Sequence, residues 1–255
     1  MKKLISTVRG RGWMAIAALA GGLLFASCNK SHNDDNNSNT PVAALMAFNL
    51  SPDLSQAGFA LSGSNLTQVP LTFNSYTGGY LAIYPGTRSV ESYNYSSGTS
   101  LVNTNYTFED STYYSVFLVG TAGAYQNVIV KDNLDSLPAT DQAYVRYINA
   151  IPDASSPTVT IASGGTNVVN DNAAFPAVSG FTAVNAGTVT VNVTNGGTIT
   201  ANRDITLESK KVYTILLSGT PGGTGDNAVQ IKFITNGTVE GNTGKMSSSS
   251  ARVLN

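Results

Sequence analysis

The pattern of apolar and polar positions predicts strands from about residue 43 onwards. Residues 188–194, Thr-Val-Thr-Val-Asn-Val-Thr, alternate between polar and apolar side chains, which is the period of a strand with one buried face. The apolar runs at 116–119 and 212–218 each end before a glycine and are typical of central strands buried on both faces. No stretch of ten residues beyond the N-terminal leader has an amphipathic helical period. The pattern therefore predicts an all-β chain.

The same landmarks occur twice in the chain, about 100 residues apart. They recur in one order: 48–53 as 148–153, 79–87 as 180–188, and 114–121 as 213–220. A common offset of this kind indicates two homologous domains. About seven or eight short strands in each, separated by turn-forming Pro and Gly pairs, predict two tandem immunoglobulin-like β-sandwiches. We expect them to superpose with Tyr114 on Tyr213 and Gly86 on Gly187.

The chain divides into six predicted segments. They are a lipoprotein signal peptide at 1–27, a flexible tether at 28–41, the first sandwich at 42–133, a linker at 134–141, the second sandwich at 142–238 and a flexible tail at 239–255. The tether is predicted to be flexible because residues 29–40 include no apolar side chain that could be buried in a core.

The N-terminus has the order basic, apolar, small residue that is typical of a secretory signal. Its apolar run at 13–26 is shorter than the roughly 20 residues of a spanning helix. The run ends in Phe25-Ala26-Ser27-Cys28, which resembles a bacterial lipobox with Phe25 in place of the usual Leu, Val or Ile. The resemblance implies that Cys28 is acylated and anchors the chain in the cell envelope, at the outer membrane. An ordinary signal peptide with an incidental cysteine, or an uncleaved anchor, is the alternative.

The tether carries a second indication of location. Asp34 and Asp35 follow Lys30 and resemble the acidic export signals of some surface lipoproteins, which favours display on the cell exterior. His32 lies beside them, and we interpret it as a solvated side chain, with a metal ligand as the alternative. Cleavage before Cys28 would leave ten basic residues against 15 acidic ones, for a net charge of −5.

Composition excludes several classes of function. With one cysteine and one histidine in the whole chain, zinc clusters, disulfide frameworks and histidine-dependent triads lack their residues. Charged residues make up 11 % of the chain and the basic ones form no cluster beyond the leader, which argues against nucleic-acid binding. The glycine-rich run 219–225 lacks the lysine of a phosphate-binding loop. We expect no metal, no cofactor and no enzymatic activity.

A few acidic residues could still bind metal or act as catalytic acids. Those with matching places in both repeats are Asp53, Asp153, Glu109 and Glu208. We interpret the two aspartates as turn residues that cap backbone N–H groups, and the two glutamates as solvated turn residues. Asp132 and Asp135, at the join between the repeats, could contribute to a calcium site, although two carboxylates are few for an ion with 6–8 ligands.

Three segments of the second repeat resemble a known family. They are 144–153 (Tyr-Val-Arg-Tyr-Ile-Asn-Ala-Ile-Pro-Asp), 180–188 (Gly-Phe, then Ala-Gly-Thr) and 213–217 (Tyr-Thr-Ile-Leu-Leu). The pattern is similar to the extracytoplasmic domains called domain of unknown function 4397. The first repeat resembles it less, because its residues 44–47 are Ala-Leu-Met-Ala and lack the basic residue that the second repeat has as Arg146. The resemblance implies tandem immunoglobulin-like sandwiches in an envelope or surface lipoprotein, and it brings no catalytic residue.

The tyrosines give the strongest indication of binding. Nine of the 12 tyrosines lie in the first repeat. Aligning Gly86 with Gly187 places Val90 at the position of the inward-facing Val191, so Tyr93 and Tyr95 should point outward. Exposed aromatic rings in a neutral surface can stack on sugars. The alternative is a bulge that shifts the register by one residue and makes both tyrosines core residues.

These observations favour a non-enzymatic, membrane-tethered envelope lipoprotein that acts as a binding or adhesion module for a glycan or an envelope protein. A structural spacer of the envelope without a specific ligand is the alternative. The sequence leaves the identity of the partner and the oligomeric state open.

Overall fold

The computed structural model of the protein describes residues 40–239. Within this range the chain consists of β-strands, two short 3-10 helices and connecting loops, so the all-β prediction is confirmed. No helix among these residues is long and apolar enough to cross a membrane. The predicted signal peptide, Cys28, nearly all of the predicted tether and the predicted tail from residue 240 lie outside the described residues.

The first repeat contributes ten of the described strands. In chain order they are β1 (Ala43–Asn49), β2 (Gln56–Leu61), β3 (Ser64–Asn65), β4 (Leu71–Thr72), β5 (Ser75–Tyr76), β6 (Leu81–Ile83), β7 (Gly86–Asn94), β8 (Ser100–Phe108), β9 (Tyr113–Val119) and β10 (Gln126–Lys131). A 3-10 helix at Leu134–Ser136 leads to the second repeat.

The second repeat contributes nine of the described strands. They are β11 (Ala143–Asn149), β12 (Thr158–Ser163), β13 (Thr166–Asn172), β14 (Ala177–Val178), β15 (Thr182–Val184), β16 (Gly187–Thr194), β17 (Thr200–Leu207), β18 (Lys211–Ser218) and β19 (Gln230–Thr238). The second 3-10 helix, Gly225–Asn227, lies between the last two strands.

Each repeat is a sandwich of two sheets with the same strand order. In the first repeat the sheets are β10-β9-β1-β5, with β6 also paired to β1, and β3-β2-β7-β8, with β4 also paired to β2. In the second repeat they are β19-β18-β11-β14, with β15 also paired to β11, and β13-β12-β16-β17. Strands β1 and β9 run parallel, as do β11 and β18. The common order confirms the predicted tandem sandwiches.

Tyr114 and Tyr213 show how closely the repeats correspond. Each lies near the start of a central strand, β9 or β18. Each hydroxyl accepts a hydrogen bond from a backbone N–H five residues earlier in the chain, that of Glu109 at 3.0 Å and that of Glu208 at 2.9 Å. The two tyrosines therefore close the same turn in both sandwiches, and the glutamates belong to that turn through their backbone.

Each sandwich has its own hydrophobic core. In β16, Val189, Val191 and Val193 are fully buried, whereas Thr190 and Asn192 between them are partly exposed. This is the one-sided burial that the alternation predicts. All core residues of the described structure lie between 43 and 239, and residues 40–239 belong to one compact unit.

A third hydrophobic cluster joins the two repeats. Its buried members include Phe48 and Phe117 from the sheet of β1, and Ile148 and Leu216 from the sheet of β11. These two sheets pack back to back, so β1 and β11 are buried on both faces. The four sheets thus form four layers, with the joined pair in the middle.

A buried ion pair lies in this interface. Arg146 of β11 forms a salt bridge with Asp132, which follows β10, and their side chains are 3 % and 0 % exposed. The Arg146 guanidinium also donates to the hydroxyls of Ser115 and Thr214, each at 2.9 Å. It lies over the ring of Phe181, 4.7 Å from the ring centroid. Residues of both repeats therefore surround one buried positive charge.

Tyr80 and Asn236 complete the network on its other side. The Tyr80 hydroxyl donates to Asp132 at 2.7 Å and accepts from the Asn236 amide at 3.2 Å. The Thr214 hydroxyl donates to the Asn236 carbonyl oxygen at 2.7 Å. Burial and the neighbouring Asp132 raise the pKa of Tyr80 well above its ordinary value, so the hydroxyl stays protonated and able to donate.

The environment of Asp132 bears on the calcium hypothesis. One carboxylate oxygen accepts from Arg146, and the other accepts from Tyr80 and from Ser115, at 2.7 and 2.6 Å. Asp135, the other candidate ligand, lies on the surface. No group of three or more potential metal ligands occurs within residues 40–239. The structure therefore gives Asp132 a counterion and hydrogen-bond role that the sequence did not indicate.

We expect Asp132→Ala to lower the free energy of unfolding by about 3–5 kcal/mol, because it leaves the Arg146 charge buried without a partner. Adding Arg146→Met should recover much of the loss, since Met46 occupies the equivalent place in the first repeat. Urea unfolding of residues 40–255 measures both effects. Lys131→Ala is the control, because its ion pair with Glu109 is solvent-exposed and should matter little. Equal effects of Asp132→Ala and Lys131→Ala would contradict the prediction.

Candidate functional site

The outer sheet of the first repeat carries the two predicted tyrosines. Val90 and Ser92 of β7 are fully buried and face the core, whereas Tyr93, the next residue, and Tyr95 are partly exposed. A bulge between Ser92 and Tyr93 interrupts the pairing with β8. The extra residue of this bulge is Leu101 of β8, whereas β7 pairs with β2 without a shift, so Tyr93 keeps the outward direction that the alignment predicts. Tyr95 lies in the turn that follows β7.

Arg88 is the one residue of β7 that the alignment places awkwardly, because it corresponds to the inward-facing Val189. The structure accommodates it at the start of the strand, where its side chain is partly exposed. Its guanidinium donates to the carbonyls of Tyr84 and Pro85, each at 3.3 Å. The arginine thus binds the preceding turn and leaves the register of the tyrosines unchanged.

Gly58 determines how the Tyr93 ring lies. Gly58 of β2 stands directly opposite Tyr93 in the sheet. A Cβ atom built on this glycine would lie 2.2 Å from the Cζ atom of Tyr93 and 2.6 Å from its hydroxyl oxygen. The ring therefore leans across the neighbouring strand and covers the glycine, a pairing known to support aromatic rings on sheet surfaces. Only a residue without a side chain permits this close approach.

Tyr95 extends the same aromatic surface. Its ring plane is within 17° of that of Tyr93, with centroids 6.3 Å apart. Its hydroxyl donates to the carbonyl of Gln68 at 3.1 Å, which holds the ring in place. The two rings thus form a nearly parallel pair on the outer sheet, and we call Tyr93 and Tyr95 the tyrosine pair.

Hydrogen bonds fix the turn after β7, which positions the tyrosine pair. The Asn94 side chain accepts from the backbone N–H groups of Ser96 and Ser97, at 3.0 and 3.2 Å. The Ser96 hydroxyl donates to the Gln56 side chain at 2.8 Å. Because these bonds fix the turn to β2, Tyr95 is positioned by the fold and not by a free loop.

The surroundings of the tyrosine pair combine apolar and polar groups. Val69, next to the Gln68 that binds Tyr95, is 66 % exposed, which makes it the most exposed large apolar residue of the described chain. Glu91 of β7 lies on the same outward face as Tyr93, two residues earlier. Flat aromatic faces bordered by amide and carboxylate groups suit the apolar face and the hydroxyls of a sugar ring.

The two aspartates that recur in both repeats each accept a hydrogen bond from a backbone N–H group. Asp53 accepts from the backbone N–H of Ala122 at 2.7 Å, and Asp153 accepts from that of Ser155, also at 2.7 Å. The hydrogen bonds with Ser155 lower the pKa of Asp153. Asp153 therefore caps its own turn, as the sequence predicts, whereas Asp53 binds a backbone N–H of the loop between β9 and β10.

A cleft of about 380 Å³, which the sequence analysis did not predict, lies at the join between the repeats. Its lining includes Lys131, Leu137, Arg146 and Phe181. The positive charges there already have partners, since Arg146 binds Asp132 and Lys131 binds Glu109 at 2.7 Å. We therefore consider the tyrosine pair the stronger candidate. Gly58 was also missed, although a glycine inside an apolar strand often marks a close contact.

We expect Gly58→Ala to displace the Tyr93 ring while leaving the fold intact, because only the far end of a side chain has to move. Burial is the main cause that raises the pKa of Tyr93, so the substitution should return this pKa towards its ordinary value of about 10. An NMR titration with labelled tyrosine measures the change. Tyr125 is the internal control, since its pKa is raised by burial and Asp53 and should not move. An unchanged Tyr93 pKa would contradict the proposed contact.

Comparison with known proteins identifies the domain type. The family described as "Domain of unknown function (DUF4397)" matches the chain twice, at residues 43–156 and 143–248. The two matches coincide with the two sandwiches and overlap at β11. A search of curated proteins finds no match. Since the matched residues make up most of the chain, the protein belongs to the DUF4397 family, with two tandem copies of the domain.

Proposed function

We propose that this protein is a non-enzymatic, lipid-anchored component of the bacterial cell envelope that binds a carbohydrate through Tyr93 and Tyr95. The observation that carries the proposal is the tyrosine pair itself, two nearly parallel and partly exposed rings, one on β7 and one in the turn that follows it. An aromatic surface that the core does not need is typical of a binding site. The family match is compatible with this function and assigns none of its own.

The arrangement favours a sugar over other ligands of similar size. Sugar rings have apolar C–H faces that can lie on an aromatic ring, and hydroxyls that can bond to polar groups beside it. The tyrosine pair supplies the aromatic rings, and the neighbouring Gln56, Gln68 and Glu91 supply the polar groups. Arg88 is the only basic residue of β7, and its guanidinium already binds carbonyls of its own turn. We therefore propose a neutral glycan.

The proposal includes no catalysis. Residues 40–239 contain no histidine or cysteine that could activate a nucleophile. The paired aspartates Asp53 and Asp153 bind backbone N–H groups in turns of separate repeats. Glu109 and Glu208 are exposed and contribute their backbone to the turns closed by the tyrosine hydroxyls.

We expect Tyr93→Ala and Tyr95→Ala each to weaken glycan binding by about fivefold, because each removes one aromatic face worth about 1 kcal/mol. A glycan array with residues 40–255 identifies the ligand, and calorimetry measures the affinities. Tyr84→Ala is the matched control, since Tyr84 is 45 % exposed and belongs to the turn before β7. Tyr93→Phe should bind almost normally because the ring remains. If the array stays empty, or if all three alanine variants behave alike, the proposed site is wrong.

The anchoring part of the proposal rests on Cys28. In the full chain, Cys28→Ala should abolish incorporation of labelled palmitate and move the protein out of the membrane fraction, because acyl chains supply the membrane affinity. Ser27→Ala is the control, since it keeps a small residue before the cysteine and should still be lipidated. A processed N-terminus and unchanged membrane partition in Cys28→Ala would contradict lipid anchoring.

A spacer role is the second candidate, and one observation favours it. The two repeats share a hydrophobic cluster and the Arg146 network, so they form one compact unit instead of two separately mobile domains. A rigid unit of this kind can hold other envelope components at a fixed distance. The array experiment separates the candidates, because a spacer predicts no ligand that depends on Tyr93.

A further inference from the structure

Strand β8 is an unprotected edge of the outer sheet in the first repeat. It is nine residues long, Ser100–Phe108, and contains no charged residue and no proline. It pairs with β7 on one side, and no strand within residues 40–239 pairs with its other side. Natural proteins usually protect such edges with charges, prolines or covering elements, because a free edge can pair with another chain.

The second repeat protects the equivalent edge, β17, with Arg203. This side chain donates to the carbonyl of Ile231 in β19 at 2.7 Å, and its guanidinium lies 5.2 Å from the centroid of the Phe233 ring. Arg203 thereby spans the opening between the edge strands of the two facing sheets. Asp204 beside it adds an opposite charge to the same edge.

The first repeat has Thr104 in the place of Arg203. Thr104 stands opposite Val90, and Arg203 stands opposite Val191, which is the residue that corresponds to Val90. A threonine is too short to span the same opening. The two copies of the domain therefore differ at the residue that closes this edge. The edge of the second repeat can serve as a control for the edge of the first.

Apolar surface accompanies the open edge. The residues along this side of the first sandwich that pack on its core while remaining partly exposed include Leu101, Val102, Tyr106, Tyr125 and Ile129. A free backbone edge beside partly exposed apolar side chains is the combination that strand addition uses.

We propose that two copies of this protein pair through β8, antiparallel and centred on Thr104. The sequence around Thr104 is self-complementary, because this register places Asn103 of one copy opposite Asn105 of the other. It also places Val102 opposite Tyr106, a β-branched and aromatic pair of the kind that stabilises sheets. A symmetric contact of this type closes on itself as a dimer.

Charge does not oppose the pairing. The edge itself is uncharged, and Glu109, the first acidic residue after it, would lie opposite Thr99 of the other copy. The sheet β3-β2-β7-β8 would continue across the dimer, and residues opposite each other in a sheet point to the same face. Both tyrosine pairs would then lie on one face, which would make glycan binding bivalent. This last consequence, unlike the dimer, rests on the proposed function.

Sedimentation equilibrium of residues 40–255 tests the dimer. We expect the average mass to rise with concentration from one copy to two. Thr104→Arg should keep the protein monomeric, because it places two guanidinium groups opposite each other, and the second repeat shows that the fold accepts arginine there. Asn202→Arg, on the edge of the second repeat, is the matched control and should still dimerise. A monomer at every concentration, or a dimer that Thr104→Arg leaves intact, would overturn the proposal.

Cysteine cross-linking tests the register independently. Residues 40–255 contain no cysteine, so one introduced thiol reports on one position. Side chains directly opposite each other in antiparallel strands have Cβ atoms about 4.5–5.5 Å apart, within reach of a disulfide after small adjustments. Thr104→Cys should form a covalent dimer on mild oxidation, and Asn202→Cys should not. Equal cross-linking of the two variants would contradict the β8 contact even if a dimer exists.

Discussion

The buried pair of Arg146 and Asp132 constrains the rest of the structure. Removing two charges from water costs several kcal/mol for each ion, and only complete hydrogen bonding offsets that cost. Here both Asp132 oxygens accept, and the guanidinium donates to Ser115 and Thr214 from opposite repeats. A shift of one sheet along the other would leave some of these groups buried and unpaired. The network therefore fixes the alignment of the repeats, whereas the apolar cluster around it supplies the driving force.

This interface decides which surfaces can meet a partner. The two middle sheets cover each other, so β1 and β11 offer no free face. Outer sheet faces, edges and turns remain. The tyrosine pair lies on the outer face of the first repeat, and the open edge β8 belongs to the same sheet. Both proposals thus concern the outer sheet of the first repeat.

The duplicated domains share a fold and differ at three surfaces, namely the interface between the repeats, the edge of the outer sheet and the position of Tyr93. Met46 and Arg146 occupy equivalent places in the interface, so one repeat supplies the charge and the other supplies Asp132. Thr104 and Arg203 differ at the edge, and Tyr93 of the first repeat corresponds to Thr194 of the second. Strand order and the closing tyrosines, Tyr114 and Tyr213, are retained. Duplication kept the elements that stabilise each sandwich and left its surfaces to diverge.

The sequence by itself determined the strands, the duplication and the outward direction of Tyr93. These follow from periodicity, because residues 188–194 alternate and the offset of about 100 residues transfers that alternation to β7. Periodicity states which residues share a face, but it does not state what covers that face. Phe48 and Ile148 are therefore recognisable as buried but not as an inter-repeat contact, and Arg146 and Asp132 have no local pattern that pairs them. Only the tertiary structure decided these contacts, since they join faces from separate repeats.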